Sequence, residues 1–162
     1  MRILLITALL FAATASAQQA KLTDADKAQI KAEITATVNT YIREIFAGNA
    51  KAVAETFYEP SFSVGAGSIT SNTRATQETV FGAAGKRLQG EGWVSASFRP
   101  INVCIMTPNS ALAGMNLYRK KADGSEHPIN SETMLLARAK DGWKIVSLFV
   151  HEGADKYATC PP

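Results

Sequence analysis

Residues that hold metals or carry redox chemistry are scarce in this sequence, which has two histidines, His127 and His151, and two cysteines, Cys104 and Cys160. No Cys-x-x-Cys pair is present to lower a thiol pKa. No His-x-His spacing or flanking carboxylate cluster is present either, so no metal site is expected. A dominant charge is also missing. With 17 basic and 14 acidic side chains the chain is too balanced to bind nucleic acid electrostatically. Its one basic cluster, Arg119-Lys120-Lys121, abuts Ala122-Asp123-Gly124 and reads as the rim of a solvated turn. Gly65-Ala66-Gly67-Ser68 lacks both the glycine spacing of a nucleophile elbow and the Lys of a phosphate loop. It reads as a flexible strand exit, and no cofactor is implied. Internal repeats and low-complexity tracts are absent, and no apolar run approaches the roughly 20 residues that span a bilayer.

The N-terminus does carry a pattern. Arg2 is followed by an apolar or small run from Ile3 to Ala13 and then by Ala15-Ser16-Ala17, a small-x-small cleavage site. Residues 1–17 are therefore expected to be a signal peptide. Residues 18–162 are expected to form a single periplasmic or secreted domain with no membrane span, large enough to bury its own core. Two cysteines in an exported chain favour a bridge between Cys104 and Cys160. Such a bridge would close a loop of roughly 55 residues and fix the tail Ala154 to Pro162, a constraint worth on the order of 4 kcal/mol in the chain-entropy account.

Periodicity supplies the elements. From Thr23 to Ala47 the residues Ile30, Ile34, Val38, Tyr41, Ile42, Ile45 and Phe46 recur at helical spacing, with Thr23 and Asp26 placed to cap the start and Gly48 the end. Asn49 caps a shorter helix through Val53, Ala54 and Phe57, broken at Pro60. A short strand, Ser61 to Val64, precedes a third helix from Arg74 to Leu88. The remainder reads as sheet: Trp93 to Met106, bent at Pro100, then Ala111 to Lys120, Pro128 to Lys140 and Trp143 to His151, separated by turn signals. The last strand is apolar on both parities, which predicts cover on both faces. Helices supply one cover, and a second subunit is the expected other.

This order gives an α+β fold in which three N-terminal helices pack on a curved, mainly antiparallel sheet to form a cone. The passage Tyr41-Ile42-Arg43-Glu44-Ile45-Phe46-Ala47-Gly48-Asn49 and the hairpin from Met134 to Val146, in this order and spacing, resemble the nuclear-transport-factor-2-like superfamily, which includes ketosteroid isomerase-like and SnoaL-like proteins. The resemblance covers roughly Ala28 to Gly153. It implies a conical pocket lined by the first helix and the concave side of the sheet, and a homodimer through the convex side. It does not fix a function, because the superfamily holds isomerases, dehydratases, cyclases and non-catalytic modules.

Ketosteroid isomerase-like catalysis needs a carboxylate base on the first strand, and an oxyanion hole made by a helical Tyr and a protonated acid on a late strand. Tyr41 matches the helical Tyr. The first-strand position falls near Gly65 and the late-strand position near Met134, neither of them acidic, so the enzyme reading is the weaker one. Glu132, on the strand face of Met134, is the available substitute, with rim placement as its alternative. Tyr41 either packs in the core or polarises a carbonyl. His151 shares parity with Ile145 and Phe149 and is expected at the pocket mouth. Asn116 and Tyr118 alternate with Leu112 and Gly114 as a pocket wall would, or else as a dimer face. The expected ligand set is thus Tyr41, Asn116, Tyr118, Glu132 and His151, around a small apolar or amphipathic molecule. A dimerisation module without a ligand is a further alternative.

Mass spectrometry of the exported protein is expected to show an N-terminus near Gln18 and the loss of two hydrogens to a Cys104–Cys160 bond. Retained Met1 with both thiols free contradicts the export reading.

Overall fold

A computed structural model describes residues 22–160; the expected signal peptide, residues 1–17, lies outside them. Helix α1 (Asp24–Phe46) starts where Thr23 and Asp26 satisfy each other's backbone. Thr23 Oγ1 accepts from the Asp26 N–H at 3.1 Å and Asp26 Oδ2 accepts from the Thr23 N–H at 2.9 Å, a capping box. Its inward stripe is Ile30, Ile34, Val38, Tyr41, Ile42 and Ile45. Helix α2 (Ala50–Glu55), capped by Asn49, is shorter than its sequence suggests. The chain leaves it before Phe57, because Glu59 precedes a proline and disfavours helix, and Phe57 is drawn into the sheet core.

Strand β1 (Phe57–Gly65) therefore begins early and is paired with a strand that periodicity misses, β2 (Ser68–Asn72). The supposed strand exit is their hairpin turn: Ala66 and Gly67 both have positive φ, 48° and 74°, as a tight two-residue hairpin requires. Helix α3 (Arg74–Gly90) follows, then β3 (Trp93–Thr107), β4 (Ser110–Lys121), β5 (Glu126–Ala139) and β6 (Gly142–His151). The six strands run in the order β2-β1-β6-β5-β4-β3. All neighbours are antiparallel except β1 and β6, which are parallel.

The sheet wraps α1, and its inner face is read off the register. On β4 the inward residues are Ala111, Ala113, Met115 and Leu117; on β5 they are Leu136, Met134 and Glu132, each opposite its β4 counterpart. All are buried. In β6 the register slips at Val146, so that Ile145 pairs with Leu136 and Leu148 with Met134. This bulge switches parity. Both parities are apolar because the strand changes sides mid-way, and double-sided burial is not the reason. Beyond β6 the chain turns back as a tail across the outer face, where Cys160 is bonded to Cys104. No helix among the described residues is long and apolar enough to cross a membrane.

Helices α1 and α3 meet where a side chain at Gly85 would stand 2.9 Å from the Ile45 carbonyl oxygen. Gly85→Leu is therefore expected to push the helices apart and to cost about 2 kcal/mol in urea denaturation. An unchanged midpoint would show that the two helices do not meet at this glycine.

Candidate functional site

Along the inner face of β4 and β5 the residues change character from one end to the other. Ala111, Ala113, Met115 and Leu117 on β4 and Leu136 and Met134 on β5 are apolar, and the next inward positions are Arg119 on β4 and Glu132 and Asn130 on β5. These three carry buried polar atoms with no hydrogen-bond partner in the protein: Arg119 Nε, Asn130 Oδ1 and Glu132 Oε2. Each such atom costs on the order of 1–3 kcal/mol. Three on one face is therefore a concentration of unmet hydrogen bonding, not a random flaw.

Tyr41 projects from the C-terminal half of α1 into the same region. Its ring lies in a cluster with Phe57 and Phe81 at 5.6 Å each, edge to face, and with Phe98 at 6.1 Å, stacked. These aromatic side chains pack around the Tyr41 ring. Tyr41 is 5% exposed and Glu132 is 4% exposed. Solvent nevertheless comes close, because Val150, the cross-strand partner of Glu132, is 40% exposed.

Burial governs the electrostatics. Desolvation pushes the Glu132 carboxyl up to about 8, against the opposing pull of the Arg119 guanidinium, so at neutral pH the acid is mostly protonated and offers an O–H donor. Burial also raises the Tyr41 phenol well above its ordinary value, with the Glu132 charge adding to the rise and Arg119 opposing it. Arg119 is lowered, first by desolvation and then by neighbouring Arg87, yet a guanidinium stays charged at physiological pH. The site therefore presents a neutral acid, a phenol and a cation as donors, and the Asn130 carbonyl as acceptor. Among the described residues no three His, Cys, Asp or Glu side chains gather closely enough to hold a metal ion.

Of the residues singled out from the sequence, the fold brings Tyr41 and Glu132 together. It places the other three elsewhere. Asn116 faces the outer side, bonded to Asp155 of the tail at 2.7 Å. Tyr118, also outward, lies under Arg99, whose guanidinium carbon is 4.1 Å from the ring centroid. His151 has the sequence parity of Ile145, but the Val146 bulge turns it outward, where Nε2 lies 3.0 Å from Thr133 Oγ1. Arg119 and Asn130 are the site residues that sequence reasoning misses. Their signal is alternation, Leu117-x-Arg119 and Asn130-x-Glu132-x-Met134, once the inward parity is known.

Helices packed on a mainly antiparallel six-stranded sheet, with a polar cluster on the inner face, define the class of α+β cone. The chain belongs to the NTF2-like protein family DUF6841, whose model matches residues 32–153. No curated protein matches it in sequence. Among solved structures it is similar to an NTF2-like protein with a cystatin-like fold from Novosphingobium aromaticivorans, at 17% identity, covering 80% of this chain and 86% of that one, with a TM-score of 0.65. It is similar as well to Aln2 from a Streptomyces species, at 15% identity, 76% and 91% coverage and a TM-score of 0.63. A third is a nuclear transport factor 2-like superfamily protein from Salmonella enterica serovar Typhimurium, at 18% identity, 80% and 95% coverage and a TM-score of 0.58. At these identities the likeness is one of fold.

The raised Glu132 pKa has a consequence for stability. A carboxyl whose folded value, about 8, lies above its ordinary 4.5 favours the native state fully below pH 4.5. That contribution is lost as pH rises through 8. Wild type is expected to lose stability between pH 5 and 9 relative to Glu132→Gln, by on the order of 4 kcal/mol. Parallel pH profiles in urea denaturation would show that Glu132 is ionised in the native state.

Proposed function

We propose that this chain is an exported small-molecule-binding domain. Its ligand enters the wide end of the cone, sets a polar group against Glu132, Arg119 and Asn130, and lays an apolar body among Tyr41, Phe81 and Phe98. The observation that carries this reading is the set of three unpaired buried atoms, Arg119 Nε, Asn130 Oδ1 and Glu132 Oε2, on one face. A site of this kind matches a ligand with an acceptor toward the Glu132 hydroxyl and the Arg119 N–H, and a donor toward the Asn130 carbonyl. Such a molecule is amphipathic. Helix α3 is the wall best able to move aside, since it buries Gln77, Gly85 and Leu88 and sets Phe81 against the Tyr41 ring, whereas α1 buries six residues. Export is supported by the leader pattern of residues 1–17 together with the Cys104–Cys160 bond, a bond that persists in oxidising compartments.

A second reading, an isomerase, dehydratase or cyclase, is favoured by one observation: a carboxyl at about 8 is poised to give or take a proton near neutral pH. Glu132→Gln separates the two readings, because the amide keeps a donor but transfers no proton.

Fluorescence titration with 1-anilinonaphthalene-8-sulfonate and with 2-naphthol is expected to show saturable single-site binding. Glu132→Leu and Arg119→Met should weaken it about tenfold, roughly 1.4 kcal/mol, while Glu132→Gln retains it. Binding that both substitutions leave unchanged contradicts the site. Turnover of a β,γ-unsaturated ketone by wild type and not by Glu132→Gln moves the conclusion to the second reading.

A further inference from the structure

Six arginines lie among the described residues, and five of them are ion-paired. Arg43 meets Glu44, Arg74 meets Glu59, Arg87 meets Glu91, Arg99 meets Glu126 and Arg138 meets Glu33. Those five side chains are exposed, so water serves them as well. Arg119 is the exception. It stands on the inner face of β4 with Leu117, its Nε is shut from solvent without a partner, and it forms no ion pair with any described carboxylate. A guanidinium withdrawn from water costs free energy unless a counter-charge meets it. The arginine least able to rely on water is thus the one left without an anion.

Its surroundings do not supply one. Glu132 is mostly protonated at neutral pH and carries little charge there. Arg87 adds its positive charge to the field at Arg119. Glu91, which offsets that field in part, is itself held by the Arg87 guanidinium at 2.7 Å and by the Trp93 indole N–H at 3.2 Å. Tyr41 and Glu132 both feel the Arg119 charge, so it belongs to the same cluster. The inner face is therefore left with an uncompensated positive charge.

Space for a ligand body opens on the neighbouring strand. Ala96 on β3 is the cross-strand partner of Arg119, and with Ile42, Phe46 and Val94 it lines a largely apolar cavity of about 370 Å³. Two residues further along the same face of β3, Phe98 stacks on Tyr41. The cavity thus lies on the strand face that carries both the partner of Arg119 and a ring of the aromatic cluster.

Charge balance narrows the anion. One unpaired guanidinium matches one negative charge, and a phosphate dianion would leave a second charge facing a half-buried surface. A carboxylate carries a single charge, and its two oxygens fit the edge of a guanidinium as a bidentate pair. We infer that the ligand of this site is an apolar monocarboxylate, bound as the anion with Arg119 as its counter-ion and with its hydrocarbon body between the Ala96 cavity and the Tyr41 cluster. This names the ligand class of the binding site proposed above and rests on that reading.

Isothermal titration calorimetry of the exported protein at neutral pH, with 2-naphthoate, its neutral isostere 2-naphthamide and 2-naphthyl phosphate, tests it. Wild type is expected to bind naphthoate at least about tenfold more tightly than either of the others. Arg119→Met should bring the naphthoate-to-naphthamide ratio to about one, and Arg119→Lys should keep part of the preference. Because the two ligands share one shape, a general loosening of the site weakens both and leaves the ratio unchanged. In wild type the Arg119 Nε–H resonance should shift on addition of naphthoate, a measurement that does not depend on any variant folding. Equal binding of naphthoate and naphthamide, or tighter binding of the phosphate, overturns the inference and leaves a small-molecule site standing. So does a preference that survives in folded Arg119→Met, or an Arg119 resonance that naphthoate does not move. Failure of all three ligands and of 2-naphthol to bind wild type overturns the site itself, and the inference with it.

Discussion

The packing of the α1 stripe against the sheet decides which residues can meet. Ile34 and Val38 are fully buried at its middle, and the strands must present to them their most apolar parity. That choice commits every other residue, because a strand that shows one set of side chains inward shows the alternate set outward. Met115 and Met134 inward entails Glu132, Asn130 and Arg119 inward, and Gly114, Asn116, Ser131 and Thr133 outward. The polar cluster and the seat for the tail are thus two results of one packing decision, separated by the thickness of the sheet.

The two faces satisfy their polar groups in opposite ways. Outside, Asn116, Ser131 and Thr133 are buried yet fully engaged, because the tail brings backbone N–H groups and a carbonyl to them. Inside, Glu132 is buried and Asn130 and Arg119 are half-buried, and one polar atom of each, Glu132 Oε2, Asn130 Oδ1 and Arg119 Nε, is shut from solvent without a partner. Native proteins leave few such atoms. Those that remain mark places where something other than folding has set the residue, which is why the functional reading rests on the inner face. The aromatic cluster around Tyr41 packs in the same region, ring edge to ring face and ring on ring.

Much of the fold is legible in the sequence. The stripe of α1, its Thr23 cap, the three long hairpin strands and the α+β order follow from period and turn chemistry, and counting two residues puts Glu132 on the face of Met134. The misses on β6 have a plain cause: sequence parity is counted from a fixed origin, and a bulge shifts that origin. Val146 turns His151 outward by adding one residue. On β4 both parities carry apolar residues, Leu112 on one and Met115 on the other, so nothing local tells Asn116 and Tyr118 from Arg119. Strand β2 escapes notice because its turn is Ala-Gly, not Asn-Gly, and its residues are mostly exposed. Cys160 hints that the tail covers the outer face, but the hydrogen bonds that seat it join residues 25 and 39 positions apart, a distance no local pattern reports.

Titration of the Glu132 carboxyl carbon by NMR tests the account most directly, with Glu132→Gln assigning the signal. A midpoint near 8, moved on addition of 2-naphthol, is the predicted result. A midpoint near the ordinary 4.5, unmoved by the probe, would show that Glu132 is solvated in the native protein and that no buried polar site exists in the cone.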